Sequence, residues 1–137
     1  IADRAEEVIT QIYEMINDSG ADAIGGPTLG ADPMVAVVSA YSSTQKKPIP
    51  AFIVRSKPKE HGLQKWVEGI IQPGWKVVVV DDVVTKAGSI LKAIKVMEEM
   101  GCKVVQTVSI VDREEGGTEL LAGYNFTPIF KKSEFIS

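Results

Sequence analysis

Valines occupy all four positions from 77 to 80, and two aspartates, Asp81 and Asp82, follow them directly. A strand with one wet face alternates apolar and polar residues. An unbroken β-branched run instead predicts a strand covered on both faces, the signature of a parallel sheet packed between helices. KVVVVDD at 76–82 is therefore the expected centre of the fold, and the rest of the chain has to supply the two covering layers.

It does so in alternation. Residues 2–19 carry Ala5, Val8, Ile9, Ile12, Tyr13 and Ile16 at helical spacing, with Gly20 as a stop. Residues 22–25 read as a short buried strand, followed by a loop marked by Gly25, Gly26, Pro27 and Gly30. A second helix is predicted over 31–46 and a strand over 49–55. Residues 56–74 are polar and show no strand pattern, so they are expected to form one long loop of functional character. A helix over 88–100 uses Ile90, Leu91, Ile94, Met97 and Met100 as its apolar stripe, with Gly101 as its cap. A strand over 103–111, a short helix over 117–123 and an edge-like strand over 128–130 complete the chain. The expected fold class is α/β, a doubly wound, mostly parallel central sheet flanked by helices, in a single domain spanning 1–137.

Composition narrows the function. Fifteen Lys and Arg against 18 Asp and Glu give a net charge of −3, which disfavours a strongly basic nucleic-acid binder. No apolar run approaches the roughly 20 residues of a membrane span. One cysteine, Cys102, and one histidine, His61, exclude a disulfide framework, a cysteine-rich zinc site and a multi-histidine metal site within one chain. The expected setting is the reduced cytoplasm. The chain begins at Ile1 without the pattern of a signal peptide, and whether residues precede it is left open.

Ligands of doubly wound sheets sit beyond the carboxyl ends of the strands. Four segments are expected to converge there: 26–33, 55–62, 81–89 and 112–117. The segment VVVVDDVVTKAGS at 77–89 is the most informative. A Gly-containing turn that opens a helix offers amides and a helix N-terminus to an anion such as phosphate, and Thr85 and Ser89 add hydroxyls. Two carboxylates just before that turn suit a sugar phosphate, whose ribose hydroxyls they would accept. Neither a Walker loop nor a G-x-G-x-x-G fingerprint is present. The structural alternative is a strand that happens to end in Asp81-Asp82, with Ser89 capping a helix.

Residues 77–89 resemble the ribose-phosphate motif of the type I phosphoribosyltransferases, whose donor is 5-phosphoribosyl-1-diphosphate (PRPP). RSKPKEHG at 55–62 resembles the catalytic loop of the orotate-specific branch of that family through Arg55, Lys59, His61 and Gly62. Asp112-Arg113 follows a strand as VDREEGG does in that branch, and GGPTLGADP at 25–33 falls where the family has its diphosphate loop. The resemblance covers about residues 20–135. It implies transfer of 5-phosphoribose from PRPP to orotate in pyrimidine biosynthesis. Lys59, His61 and Asp82 would be catalytic. Arg55, Ser56, Lys59, His61, Asp81, Asp82, Val83, Val84, Thr85, Lys86, Ala87, Gly88 and Ser89 would bind PRPP. Thr85 and Arg113 would contact orotate. Mg²⁺ is the implied cofactor, held mainly by substrate and water. The implied assembly is a homodimer sharing its catalytic loop, with no nucleic-acid or membrane partner.

Departures from the family pattern fall at Gly30 and Ser56, where lysines are usual, and at Lys86 and Ala87 in the phosphate turn. An N-terminal hood over the base is also expected of the family and is not in this sequence. Asp32 is expected to face solvent or cap the second helix, and Trp66 and Trp75 carry no assigned role. The alternatives are a paralogue using another base, a non-catalytic PRPP or nucleotide sensor on the same fold, and an unrelated α/β phosphate binder.

Overall fold

The computed structural model describes residues 5–45, 47–57 and 66–134. The chain runs α1 (Ala5–Ser19), β1 (Ala23–Pro27), α2 (Asp32–Ser42), β2 (Ala51–Val54), β3 (Val67–Glu68), β4 (Lys76–Val84), α3 (Gly88–Glu99), β5 (Lys103–Asp112), α4 (Gly117–Leu120) and β6 (Phe126–Lys131), with short 3-10 turns at Ala122–Tyr124 and Lys132–Glu134. Six strands form one sheet in the order β3-β2-β1-β4-β5-β6. Every pairing is parallel except that of β3 with β2.

The valine run sits inside the sheet, between β1 and β5, and all four valines are 0% exposed. Successive side chains of a strand point to opposite faces, so the run feeds two cores at once. Val78 and Val80 pack with Ile12 and Ile16 of α1 and with Met34, Val35 and Val38 of α2. Val77 and Val79 pack with Ile90, Ile94 and Met97 of α3 on the other face. Complete burial of each valine is worth roughly 1.5–3 kcal/mol. α1 and α2 also meet at Tyr13 and Tyr41, whose rings stand edge to face with centroids 5.4 Å apart.

Several boundaries differ from the sequence expectation. α2 ends at Ser42 rather than at 46. The hydroxyls of Ser42, Ser43 and Thr44 each donate to the carbonyl three residues back, at 2.6, 2.6 and 2.7 Å. These bonds satisfy carbonyls that further helix would have used. The segment 56–74 is not strandless. Val67 and Glu68 pair antiparallel with Val54 and Ile53, a stretch too short to carry a periodicity. β4 runs on to Val84, so Asp81 and Asp82 lie within the strand, with Asp81 in register with Ser109. β6 is an edge strand as expected, though longer, and it tolerates Pro128 because β5 is its sheet partner on one side alone.

Parallel pairing of β1, β2, β4 and β5 brings their carboxyl ends to one edge of the sheet, the four segments singled out from the sequence. Close approach at that edge makes a demand at Gly26. A Cβ there would lie 1.9 Å from the Val80 carbonyl oxygen and 2.8 Å from the Ala31 Cβ. Gly26→Ala should therefore cost about 3 kcal/mol or more in urea denaturation, since the backbone of β4 has to give way.

Candidate active site

The turn after β4 is built on one strained residue. Ala87 adopts φ 66°, ψ 17°, in the left-handed region. For alanine this costs roughly 1 kcal/mol, and burying its methyl group returns about 0.8 kcal/mol. The distortion aims the first turn of α3 toward the end of β4. Ala87 is the N-cap and makes no side-chain cap, and Leu91 N–H donates to its carbonyl at 2.9 Å. Ser89 lies inside the first helical turn with its side chain exposed, so it is not the cap that the structural alternative required. Helix amides that no side chain caps are an anion-binding feature. They open on a concavity of about 270 Å³ lined by Asp81 and by each residue from Val83 to Ile90.

The two aspartates take different environments. Asp81 is 7% exposed, and its Oδ1 accepts the Asp82 amide at 2.9 Å. Burial, followed by the Asp82 side chain beside it, pushes its carboxyl up to about 7. Asp82 is exposed, and its own Oδ1 accepts the Val83 amide at 2.7 Å. It lines a separate, apolar groove of about 260 Å³ with Val8, Ile9, Gly30, Pro33 and Ile110. Gly30 rests on both carboxylates. A Cβ at residue 30 would stand 2.2 Å from Asp81 Oδ1 and 2.5 Å from Asp82 Oδ1. In this arrangement the loop after β1 has no room for the lysine usual at that position.

Asp32 neither faces solvent nor caps α2. It is the first residue of the helix, after Ala31 as N-cap, and its Oδ2 accepts the Thr28 hydroxyl at 3.1 Å. Its Oδ1 is buried without a partner among the described residues. The carboxylate is thus turned back onto the loop.

A cleft of about 350 Å³ joins two strand ends and the start of a helix. Pro27 and Thr28 come from β1, Arg55 and Ser56 from β2, and Gly88, Ser89 and Lys92 from α3. Arg55 is ion-paired with Glu68 of β3. Ser56 and Lys57 are exposed. Lys59, His61 and Gly62 lie outside the described residues. Lys92 and Glu68 were not found from the sequence. The available signal for Lys92 was its place three residues after Ser89, on the same helix face.

On the far side, the exits of β4 and β5 are stitched together. The Arg113 amide donates to the Val84 carbonyl at 2.9 Å, and the Gly117 amide to the Thr85 carbonyl at 3.0 Å. Thr85 and Arg113 are both exposed at this junction, and Arg113 Nε lies 3.4 Å from Glu115. Asp112, read as the end of the preceding strand, is a buried anchor. It accepts the Glu114 amide at 2.9 Å and the Thr118 hydroxyl at 2.6 Å, and so shapes the loop that carries Arg113. Among the described residues no cluster of three or more Asp, Glu, His or Cys could hold a metal ion, and no helix is long and apolar enough to cross a membrane.

Paired carboxylates near the end of β4, a left-handed residue in the turn and a helix without a side-chain cap stand together at one edge of the sheet. The chain belongs to the phosphoribosyltransferases, since the family pattern described as the phosphoribosyl transferase domain matches residues 1–133. Its relatives narrow this to the orotate-specific branch. The chain is 42% identical over 127 residues to the orotate phosphoribosyltransferase of Aquifex aeolicus, a match covering 91% of this chain and 69% of that protein. Among solved structures, the Mycobacterium tuberculosis orotate phosphoribosyltransferase in complex with Fe(III) dicitrate superposes with a TM-score of 0.82 at 30% identity, over 95% of this chain and 74% of that one. The same enzyme in complex with PRPP gives 0.80 at 29% identity, over 96% and 75%.

The Asp81 carboxyl yields a stability test. Unfolded, an aspartate titrates near 3.9, whereas folded Asp81 keeps its proton up to about 7. The native state therefore binds more protons between these values, and stability falls as pH rises from about 4 to about 7, then levels off. Asp81→Asn keeps an acceptor for the Asp82 amide and removes the titration. Its urea stability should gain on the parent's across that interval, by on the order of 1–2 kcal/mol after solvent screening, and show no gain near pH 4.

Proposed function

We infer that this chain is an orotate phosphoribosyltransferase, forming orotidine 5′-monophosphate and diphosphate from PRPP and orotate. The observation that carries the reading is the Thr85–Ser89 turn, left-handed at Ala87 and without a side-chain cap, set at the end of the strand that carries Asp81 and Asp82. The 42% identity to an orotate phosphoribosyltransferase supports the choice of base.

In this reading the turn from Thr85 to Ser89 holds the 5′-phosphate through the α3 amides and the hydroxyls of Thr85 and Ser89, with Lys86 adding charge at the rim. Asp82 accepts ribose hydroxyls. With Asp81 it favours the positive charge that develops at the anomeric carbon in an oxocarbenium-like transition state. Arg55, Lys59 and His61 offset the charge growing on the departing diphosphate. Before they can do so, Arg55 has to share or exchange its Glu68 partner. Arg113 pairs with the orotate carboxylate, again in competition with a neighbouring carboxylate, Glu115.

The donor set suits a hard divalent cation that keeps most of its oxygen ligands from substrate and water. One exposed carboxylate, Asp82, is available, and no multi-carboxylate cage exists among the described residues. Mg²⁺, when bound, supplies Lewis-acid neutralisation of the diphosphate. The reading extends to a homodimer, on the family resemblance of the 55–62 loop, and to a cytoplasmic setting, on the single cysteine.

Incubation with PRPP, Mg²⁺ and a mixture of orotate, uracil, adenine, hypoxanthine, guanine and xanthine, followed by mass spectrometry, tests the reading. Orotidine monophosphate as the sole nucleotide is expected. A different nucleotide overturns the base assignment, and no product moves the reading to a sensor or to part of a longer enzyme. Asp82→Asn should raise the KM for PRPP by about tenfold or more, and Lys59→Ala should lower kcat by about 10²-fold with little change in KM.

A further inference from the structure

We propose that Lys92, on the solvent side of α3, is a positioning residue for phosphoribosyl transfer. It joins both ends of the segment between β2 and β3 to the helix that carries the phosphate turn. The inference rests on the reading above and adds a residue to it.

Lys92 reaches in two directions. Its ammonium donates to the Ser56 carbonyl at 2.7 Å, just after β2, and lies 4.7 Å from the centroid of the Trp66 ring, just before β3. The same two points are tied to each other, since the Arg55 amide donates to the Trp66 carbonyl at 2.6 Å and the Arg55 guanidinium pairs with Glu68. Arg55, Ser56, Trp66 and Glu68 therefore form one clamp, and Lys92 is its link to α3. Ser89, in the first turn of that helix, is three residues away. Beyond the shared core of Val54, Ile90 and Ala93, Lys92 is thus the side-chain link between the turn before α3 and Arg55.

Lys92 has no carboxylate partner among the described residues, so its attachment is a carbonyl oxygen and the face of an aromatic ring. The helix does not need it for packing. α3 is held to the sheet by Ile90, Ala93, Ile94, Val96 and Met97, whereas Lys92 is exposed. Its removal should leave the fold intact and disturb geometry alone. A misplacement of the order of 1 Å is costly in transfer chemistry.

The test uses Lys92→Gln and Lys92→Arg, each also made in a Trp75→Phe background so that Trp66 is the sole tryptophan. Lys92→Gln should lower kcat by about tenfold, while the dissociation constant for ribose 5-phosphate stays within about twofold and the urea midpoint is unchanged. Lys92→Arg, which can still donate to Ser56 and stack on Trp66, should restore kcat to within about threefold. With diphosphate and Mg²⁺ as the probe, Trp66 emission should change in the parent and not in Lys92→Gln. The proposal is overturned by unchanged kcat in Lys92→Gln, by an arginine variant as poor as glutamine, or by weakened ribose 5-phosphate binding. It is also overturned if Trp66 fails to respond in the parent or responds equally in both. If the parent makes no orotidine monophosphate, the functional reading fails, and the fluorescence arm still decides the role of Lys92.

Discussion

The structure depends on burying β4 from both sides. Four valines without solvent contact need helices on each face, and parallel neighbours to satisfy their backbone. That demand extends past the valines. Asp81 continues the strand, and its carboxylate is pulled into surroundings that resist ionisation. The residue at the heart of the candidate site is thus under strain supplied by the hydrophobic core itself. Asp82, one step on, escapes to solvent. One strand delivers two carboxylates of different character because its burial lapses at Asp82 and Val83 before Val84 is covered again.

Much of this was legible in the sequence, and what was missed has physical causes. The order of elements could be read because long apolar periodicities and glycine stops report on core packing, which also decides the fold. The convergence of four loops followed from parallel pairing alone. Boundaries were less legible. The end of α2 is set by hydroxyl–carbonyl bonds in a Ser-Ser-Thr run, whose residues read equally well as helix surface. β3 is two residues long and exists through pairing with β2. Within the candidate site, the turn after β4 could be located because its glycine and hydroxyl residues mark a helix start. Lys92 and Glu68 were not, since an exposed lysine or glutamate takes its meaning from what lies across the fold.

Two departures from the family pattern also find reasons in the packing. Gly30 lies so close to both carboxylates that a side chain there would collide with them. Ala87 takes a left-handed conformation that glycine adopts at less cost, and the buried methyl group offsets most of the strain.

The backbone bonds joining Val84 to Arg113 and Thr85 to Gly117 have a mechanical meaning. They weld the phosphate turn and the loop proposed to hold the base into a fixed jaw, backed by the longest strands of the sheet. The end of β2 is held differently, by parallel pairing with β1 on one side and by the two-residue β3 on the other. In the proposed reading, the spacing between that turn and that loop sets the length of sugar that fits between phosphate and base.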